Sequence, residues 1–220
     1  MAKLYIISTP LGYNKDITLE AIEVLKSMDV IAAENLSTNK NRIEKIIGKT
    51  SCQWIPYFDG NETTQSLKII MMIKEGKKVG LISSAGTPII CDPGYKLIQL
   101  AYKHHIPLES IGGSCSVISA LSISGAPPFP FTFWGFFPKK IHPMMESITN
   151  GHTHIFFDSS HRIKENIETL WNLLPKNLSI ILVKDIGSIY FQRILIDENN
   201  YNNFSINGQW VVFISNKINF

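Results

Sequence analysis

The strongest constraint on this chain is the regular alternation of strand-length apolar runs with helical patterns through its first 125 residues. Residues 4–8 read as a strand, 18–27 as a helix and 30–33 as a second strand. Apolar runs this short and this continuous belong to strands buried on both faces, and their alternation with helices marks parallel βαβ units. A helix from Asn39 then ends at Gly48 and another from Glu62 ends at Gly76. Residues 78–82 form a strand, 95–105 a helix and 108–111 a strand, and a short helix ends at Gly125. Gly48 and Gly76 suit left-handed helix caps. Asp92-Pro93 suits the opening of the helix from Tyr95, the aspartate by capping free amides and the proline by its fixed φ.

Ala126-Pro127-Pro128-Phe129-Pro130 stops the pattern, because three prolines in four positions exclude helix and central strand alike. Residues 1–125 are therefore expected to form an N-terminal α/β domain, 126–130 a linker and 131–220 a C-terminal α/β domain. In the last of these, strands are expected at 131–137, 155–158, 178–184, 190–196 and 210–215, with one clear helix at 162–174 and a turn at 199–203. Strands that follow one another without an intervening helix imply a mixed or antiparallel sheet.

Charge and cysteine content narrow the function classes. Lys and Arg number 21 against 18 Asp and Glu, a net charge of +3, and tight basic clusters are confined to Lys77-Lys78 and Lys139-Lys140. Phosphate-driven nucleic-acid binding usually clusters its cations, so an RNA substrate is permitted but not advertised. Cys52, Cys91 and Cys115 are odd in number and lack paired spacing, which argues for reduced thiols. With no signal-peptide pattern and no apolar span of about 20 residues, the chain reads as cytoplasmic, with no membrane partner.

Chemistry is expected at small-residue loops after strand ends. Ser83-Ser84-Ala85-Gly86-Thr87-Pro88-Ile89-Ile90-Cys91-Asp92-Pro93-Gly94 follows a buried strand, and small residues let a ligand approach the backbone. Thr9-Pro10-Leu11-Gly12 and Gly112-Gly113-Ser114-Cys115-Ser116 follow two more strands, and in a parallel sheet all three loops would share one edge. On spacing alone, a ligand site and plain turn chemistry stand equal for the 83–94 segment, while each of the other two loops, taken singly, is more often plain turn chemistry. Neither a G-x-G-x-x-G fingerprint nor a G-x-x-x-x-G-K loop is present, which disfavours nicotinamide cofactors and nucleoside triphosphates. His152 and His154 lack a cysteine or carboxylate partner at ligand spacing, so no metal is expected.

Thr9-Pro10-Leu11-Gly12 with Asp16-Ile17-Thr18, Ala33-Glu34, Asn61-Glu62, Ala85-Gly86-Thr87-Pro88 with Asp92-Pro93-Gly94, Gly135-Phe136 with Pro138, and Ser159 with His161-Arg162 occur in one order. Across nearly the whole length this resembles the ribosomal RNA small subunit methyltransferase I family, within the tetrapyrrole-methylase fold. The resemblance implies two α/β domains, a mainly parallel N-terminal sheet and a mixed C-terminal one, with a cleft for S-adenosylmethionine. It further implies a homodimer that methylates a cytidine ribose 2′-hydroxyl in 16S RNA. Carried over by position, cofactor contacts fall on Leu11, Ser84, Ala85, Gly86, Ile89, Cys115, Ser116, Asp158 and Ile186, and catalytic roles on Glu34, His161 and Arg162.

Several polar positions depart from the family pattern. Gly-Asn is Gly12-Tyr13, Ala-Glu-Asp-Thr-Arg is Ala33-Glu34-Asn35-Leu36-Ser37, and Ser-Asp-Ala-Gly is Ser83-Ser84-Ala85-Gly86. Gly-Pro-Ser-Ala is Gly113-Ser114-Cys115-Ser116, Glu-Ser-Pro-His-Arg is Asp158-Ser159-Ser160-His161-Arg162, and Lys-x-x-Glu is Ser188-Ile189-Tyr190-Phe191. The sequence ends at Phe220, where relatives commonly continue into a helical extension. A ribose hydroxyl needs a proton acceptor, and Glu34, Glu62, Asp92 and His161 are the candidates. Three of them have a structural alternative: a helix cap for Asp92, a solvated acid for Glu34, a cap or surface pair for His161-Arg162. Methylation of a tetrapyrrole or other small metabolite, and a non-catalytic binding protein on the same fold, stay open beside the ribosomal reading.

Overall fold

The structure, a computed structural model, describes residues 2–139, 141, 145, 147, 148 and 151–218; Lys140 and Phe220 of the sequence reading lie outside them. By the density of internal contacts it divides into two compact units, Met1–Cys115 and Ser116–Phe220.

In the first unit β1 (Leu4–Ile7), β2 (Val30–Ala33), β3 (Gln53–Pro56), β4 (Val79–Ile82) and β5 (Leu108–Ile111) form one sheet. Their order is β3-β2-β4-β1-β5, and every pairing is parallel. The helices between them are α1 (Leu19–Lys26), α2 (Leu36–Ile47), α3 (Glu62–Lys74) and α4 (Tyr95–Lys103). The period-2 alternation of the strands explains the layering. Leu4, Val30, Ala32, Ile55, Val79 and Leu81 meet Ile69, Ile70 and Ile73 of α3 and Leu97 and Ala101 of α4. Ile7, Ile31, Ala33, Ile82 and Ile111 meet Ala21 and Leu25 of α1 and Ile43 and Ile47 of α2. Each large aliphatic side chain removed from water in this way stabilises the fold by about 1.5–3 kcal/mol.

Local chemistry sets the helix starts. The Ala21 amide donates to Thr18 Oγ1 at 3.1 Å, capping α1 where the sequence placed its start. α2 begins three residues before the expected Asn39, because Asn35 Oδ1 accepts from the Thr38 amide at 3.3 Å. The Asp92 cap is a correction. The cap position of α4 is Gly94, with φ +142° and no side-chain capping bond, and its amide donates instead to Glu62 Oε1 at 2.9 Å. A Cβ at Gly94 would stand 2.7 Å from Ile89 Cγ1 and 2.9 Å from Leu81 Cδ2, so this turn needs glycine for both angle and space. β3 has no counterpart in the sequence reading; it is a four-residue edge strand ending in Pro56 and paired on one side only.

In the second unit β6 (Phe131–Phe136), β7 (Thr153–Ser159), β8 (Leu178–Lys184), β9 (Gln192–Leu195) and β10 (Gln209–Asn216) form a sheet in the order β6-β7-β10-β8-β9. β6 and β7 run parallel and the other pairs antiparallel, giving a mixed sheet. α6 (Ile163–Leu173) buries Ile163, Ile167 and Leu170 against Phe156, Ile180, Leu182, Trp210, Val212 and Ile214. α5 (Ser116–Ser124), which the sequence reading assigned to the first domain, packs on β8 and β10 and so goes with this unit. Arg193 Nε donates to the Ser124 carbonyl at 2.6 Å at its end. The proline-rich segment is tied in as well, with Thr153 Oγ1 donating to the Pro127 carbonyl at 2.7 Å. Among the described residues, no helix is long and apolar enough to cross a membrane.

Candidate functional site

A parallel sheet puts the residues that follow its strands along one edge, in the order of the strands and not of the chain. Across the first unit that order is Phe58 after β3, Glu34 after β2, Ser84 after β4, Leu11 after β1, and Ser114 and Cys115 after β5. The three small-residue loops thus follow the adjacent strands β4, β1 and β5.

Hydrogen bonds join these loops directly. Thr9 and Gly86 exchange backbone bonds, Thr9 N to Gly86 O at 2.9 Å and Gly86 N to Thr9 O at 3.0 Å. Thr9 Oγ1 donates to the Ser83 carbonyl at 3.2 Å, and Ser83 Oγ to the Gly86 carbonyl at 2.8 Å. Thr87 Oγ1 donates to the Ser114 carbonyl at 3.1 Å, Ser114 Oγ donates to Asp16 Oδ1, and the Leu11 amide donates to Asp16 Oδ2 at 3.0 Å. Gly86 sits at the centre with φ +77°; a Cβ there would stand 2.8 Å from Leu11 Cδ2 and 3.3 Å from the Ser114 carbonyl. Ile89, a β-branched residue, is held at φ +77°, a conformation that costs about 1–3 kcal/mol and persists only where its surroundings demand it.

Of the sequence candidates in this unit, Leu11, Ala85, Ile89 and Cys115 are half-buried, Gly86 is buried, and Ser84 and Glu34 are exposed. Ser84 Oγ donates to Glu34 Oε2 at 3.0 Å, and both residues line an open cavity of about 590 Å³ together with Asn35, Leu36, Ser37 and Phe58. Asp92 lies nearby in electrostatic terms: burial, with the charges of Glu34 and Asp59 added, pushes its carboxyl up to about 6. Glu62 is spoken for by the fold. It is 7% exposed, accepts from the Gly94 amide and from Tyr57 Oη at 3.2 Å, and pairs with Lys96 at 3.3 Å. Burial works against its charge, but the Gly94 amide, Lys96 and Tyr57 together hold its carboxyl below the ordinary value.

The remaining candidates belong to the second unit. Asp158 is buried, with Oδ1 accepting from the Ser159 amide at 2.8 Å and Oδ2 from Asn166 Nδ2 at 2.7 Å. Burial pushes its carboxyl above the ordinary value against the pull of those bonds and of Arg162. Arg162 spends its guanidinium on the loop after β6, donating to the Phe137 carbonyl at 3.1 Å and the Pro138 carbonyl at 2.9 Å. His161 is exposed just before α6, Ser116 opens α5, and Ile186 is half-buried in the loop after β8. Trp134 Nε1 donates to His154 Nδ1 at 3.1 Å, and among the described residues no cluster of His, Cys, Asp and Glu could hold a metal ion.

Residues 3–198 match the family described as Tetrapyrrole (Corrin/Porphyrin) Methylases. The protein named Ribosomal RNA small subunit methyltransferase I from Hydrogenobaculum sp. (strain Y04AAS1) is 34% identical, over 97% of this chain and 95% of its own length. Proteins of the same name from Rickettsia prowazekii (strain Madrid E) and Buchnera aphidicola subsp. Acyrthosiphon pisum are 37% and 35% identical, over 98% and 96% of this chain and 79% and 78% of theirs. The chain belongs to the ribosomal RNA small subunit methyltransferase I family of tetrapyrrole methylases. Solved tetrapyrrole-methylase-like structures share its fold. Diphthine synthase superposes with a TM-score of 0.77 at 15% identity, covering 97% of this chain and 90% of that one. Uroporphyrin-III-C-methyltransferase from Thermus thermophilus gives 0.67 at 18%, covering 97% and 94%.

Two residues of this family member escaped the sequence reading. Arg42 Nη1 donates to the Ser84 carbonyl at 3.3 Å and Nη2 to the Gly12 carbonyl at 3.0 Å, bridging two loops; burial draws its pKa down while Asp16 acts in opposition. Asn39, one turn earlier on α2, is buried and donates to the Ser83 carbonyl at 3.4 Å. Their spacing on one helix face was the available signal. It carried nothing until α2 was known to start at Leu36.

Proposed function

We propose that this chain transfers the methyl group of S-adenosylmethionine to a ribose 2′-hydroxyl of small-subunit ribosomal RNA, as a cytoplasmic homodimer. The observation that carries the reading is the knitted rim of the first unit. Three loops joined through Thr9, Gly86, Thr87 and Ser114 present half-buried Leu11 and Ile89 beside the exposed Ser84. Relatives 35% and 37% identical to this chain over 96% and 98% of it carry the name that states the RNA.

The residues present fit the methyl donor. An adenosyl group needs an apolar slot and a few convergent polar groups at backbone range, and Leu11, Ile89, Ala85, Gly86 and the Ser84 hydroxyl supply that set. When bound, the cofactor supplies an electrophilic methyl on a sulfonium centre. A ribose hydroxyl taking up that methyl would have to lose its proton, so this chain would have to supply an acceptor. Glu34 is that acceptor. Ser84 Oγ fixes one carboxylate oxygen at 3.0 Å, which leaves the other without a partner among the described residues. A positioned base of this kind contributes about 10²–10⁴-fold. In this reading His161, exposed before α6, meets an RNA phosphate, and Arg162 holds the loop that follows β6.

Asp92 is the second reading for the base, favoured by a carboxyl pushed up to about 6, close to where a general base works best. Mapping of 2′-O-methylation in 16S RNA from a strain lacking the gene, complemented with wild type, Glu34→Gln or Asp92→Asn, separates the two. Restoration by wild type and Asp92→Asn but not by Glu34→Gln is the expected result. Failure of the wild type to restore any 2′-O-methyl group, despite calorimetric binding of S-adenosylmethionine, overturns the RNA reading.

A further inference from the structure

We infer that Phe58 is the platform on which the base of the target nucleotide stacks, an inference that rests on the methyl-transfer reading and specifies how its RNA is held. Phe58 ends the row of residues at the strand ends and lines the same cavity of about 590 Å³ as Glu34 and Ser84, a volume within the range of small-molecule sites. Phe58 is 43% exposed, and the turn that carries it is held in place. The Phe58 amide donates to Asn61 Oδ1 at 2.9 Å, and its carbonyl accepts from the Asn61 amide at 2.9 Å. Asn61 Nδ2 and Gln65 Nε2 anchor the same turn by donating to the Pro56 carbonyl at 3.1 and 3.2 Å. The ring lies over Gly60, where a Cβ would stand 2.9 Å from its Cε2 and 3.3 Å from its Cδ2.

A single exposed aromatic is ordinary on a protein surface. One carried on an anchored turn and lining the cavity of a candidate proton acceptor is not. Asn35 is committed to starting α2, taking the Thr38 amide and the Ser37 hydroxyl, both at 3.3 Å. The cavity is thus left with Glu34 and Ser84 as chemistry and Phe58 as a flat apolar face. RNA that must present one ribose to an enzyme does so as an unpaired nucleotide, and proteins hold such bases by stacking them on aromatic rings. The net charge of +3 adds weight, because a chain with so little excess cation gains little affinity from phosphates and needs another source.

The test uses tritiated methyl transfer to small ribosomal subunits from a strain lacking the activity, with calorimetry of S-adenosylmethionine alone as the control for folding and for the cofactor site. Phe58→Leu keeps apolar bulk but loses the flat face, and is expected to raise KM about tenfold with kcat little changed, the pattern of lost uniform binding. Phe58→Tyr recovers most of that loss. Gly60→Ala, which displaces the ring without removing it, raises KM by a smaller factor. Unchanged KM in Phe58→Leu overturns the inference, and so does a loss of S-adenosylmethionine affinity, which would assign the ring to the cofactor. Should the wild type bind the cofactor but methylate no ribosomal RNA, the preceding reading fails on its own. Fluorescence anisotropy with a labelled ten-nucleotide single-stranded RNA then decides the platform separately: weaker binding by Phe58→Leu supports it and equal binding removes it.

Discussion

Replacing Asp92 with asparagine should stabilise this protein at neutral pH and do nothing for it in acid. The Asp92 carboxyl is half-buried, forms no hydrogen bond among the described residues, and feels the charges of Glu34 and Asp59, so ionising it in the folded chain is unfavourable. The displacement from an ordinary 3.8 to about 6 is worth about 3 kcal/mol at 1.4 kcal/mol per tenfold. Partial solvent contact and salt reduce that to about 1–2 kcal/mol. The sign follows from linkage. Because the folded state holds its proton more tightly than the unfolded chain, stability falls as pH rises from about 4 to about 6, and the whole penalty is present above that range. Thermal unfolding followed by circular dichroism should therefore place Asp92→Asn about 3–6 °C above wild type at pH 7.5 and level with it at pH 4. A variant no more stable than wild type at pH 7.5, or a gain that persists undiminished at pH 4, would refute the reasoning. A penalised charge kept within electrostatic reach of Glu34 fits the trade of stability for function.

Two further outcomes test the scaffold of the same edge. Gly86→Ala puts a Cβ 2.8 Å from Leu11 Cδ2 at φ +77°, which should cost about 1–3 kcal/mol and weaken S-adenosylmethionine binding in calorimetry; unchanged affinity would remove this loop from the cofactor site. Glu62→Gln loses the Lys96 pair and weakens the bonds to Gly94 and Tyr57, at about 1–3 kcal/mol. Since the Glu62 carboxyl is held below its ordinary 4.5, that stability is present above pH 4.5 and disappears as pH falls further, so urea titrations of variant and wild type should converge in acid.

How far the sequence could be read depended on whether a signal was local. Buried parallel strands such as Val30–Ala33, and a capped helix such as the one after Thr18, declare themselves through composition and spacing. β3 did not, because an edge strand ending in Pro56 needs neither a long apolar run nor two partners. The boundary between the units was equally non-local. Prolines at 127, 128 and 130 looked like a hinge, but α5 goes with the second unit through its contacts on β8 and β10, strands far ahead of it in the chain.

The candidate site divides the same way. The small-residue loops, the order of the motifs and the family resemblance were legible at Leu11, Ser84, Gly86 and Glu34, since tight turns after strand ends limit which residues stand there. The roles of Glu62, Arg42 and Phe58 were not. A carboxylate, a guanidinium and an aromatic ring read alike in a sequence whether they hold a loop, take a proton or meet a ligand. Their parts are set by neighbours that the strand order β3-β2-β4-β1-β5 brings alongside, Gly94 for Glu62, Ser84 for Arg42 and Glu34 for Phe58. Apart from the edge strand β3, sequence by itself determined the elements and their alternation, because those obey forces between near neighbours in the chain. Only the tertiary structure decided which polar groups remain available for chemistry, because hydrogen bonds and burial are satisfied across space.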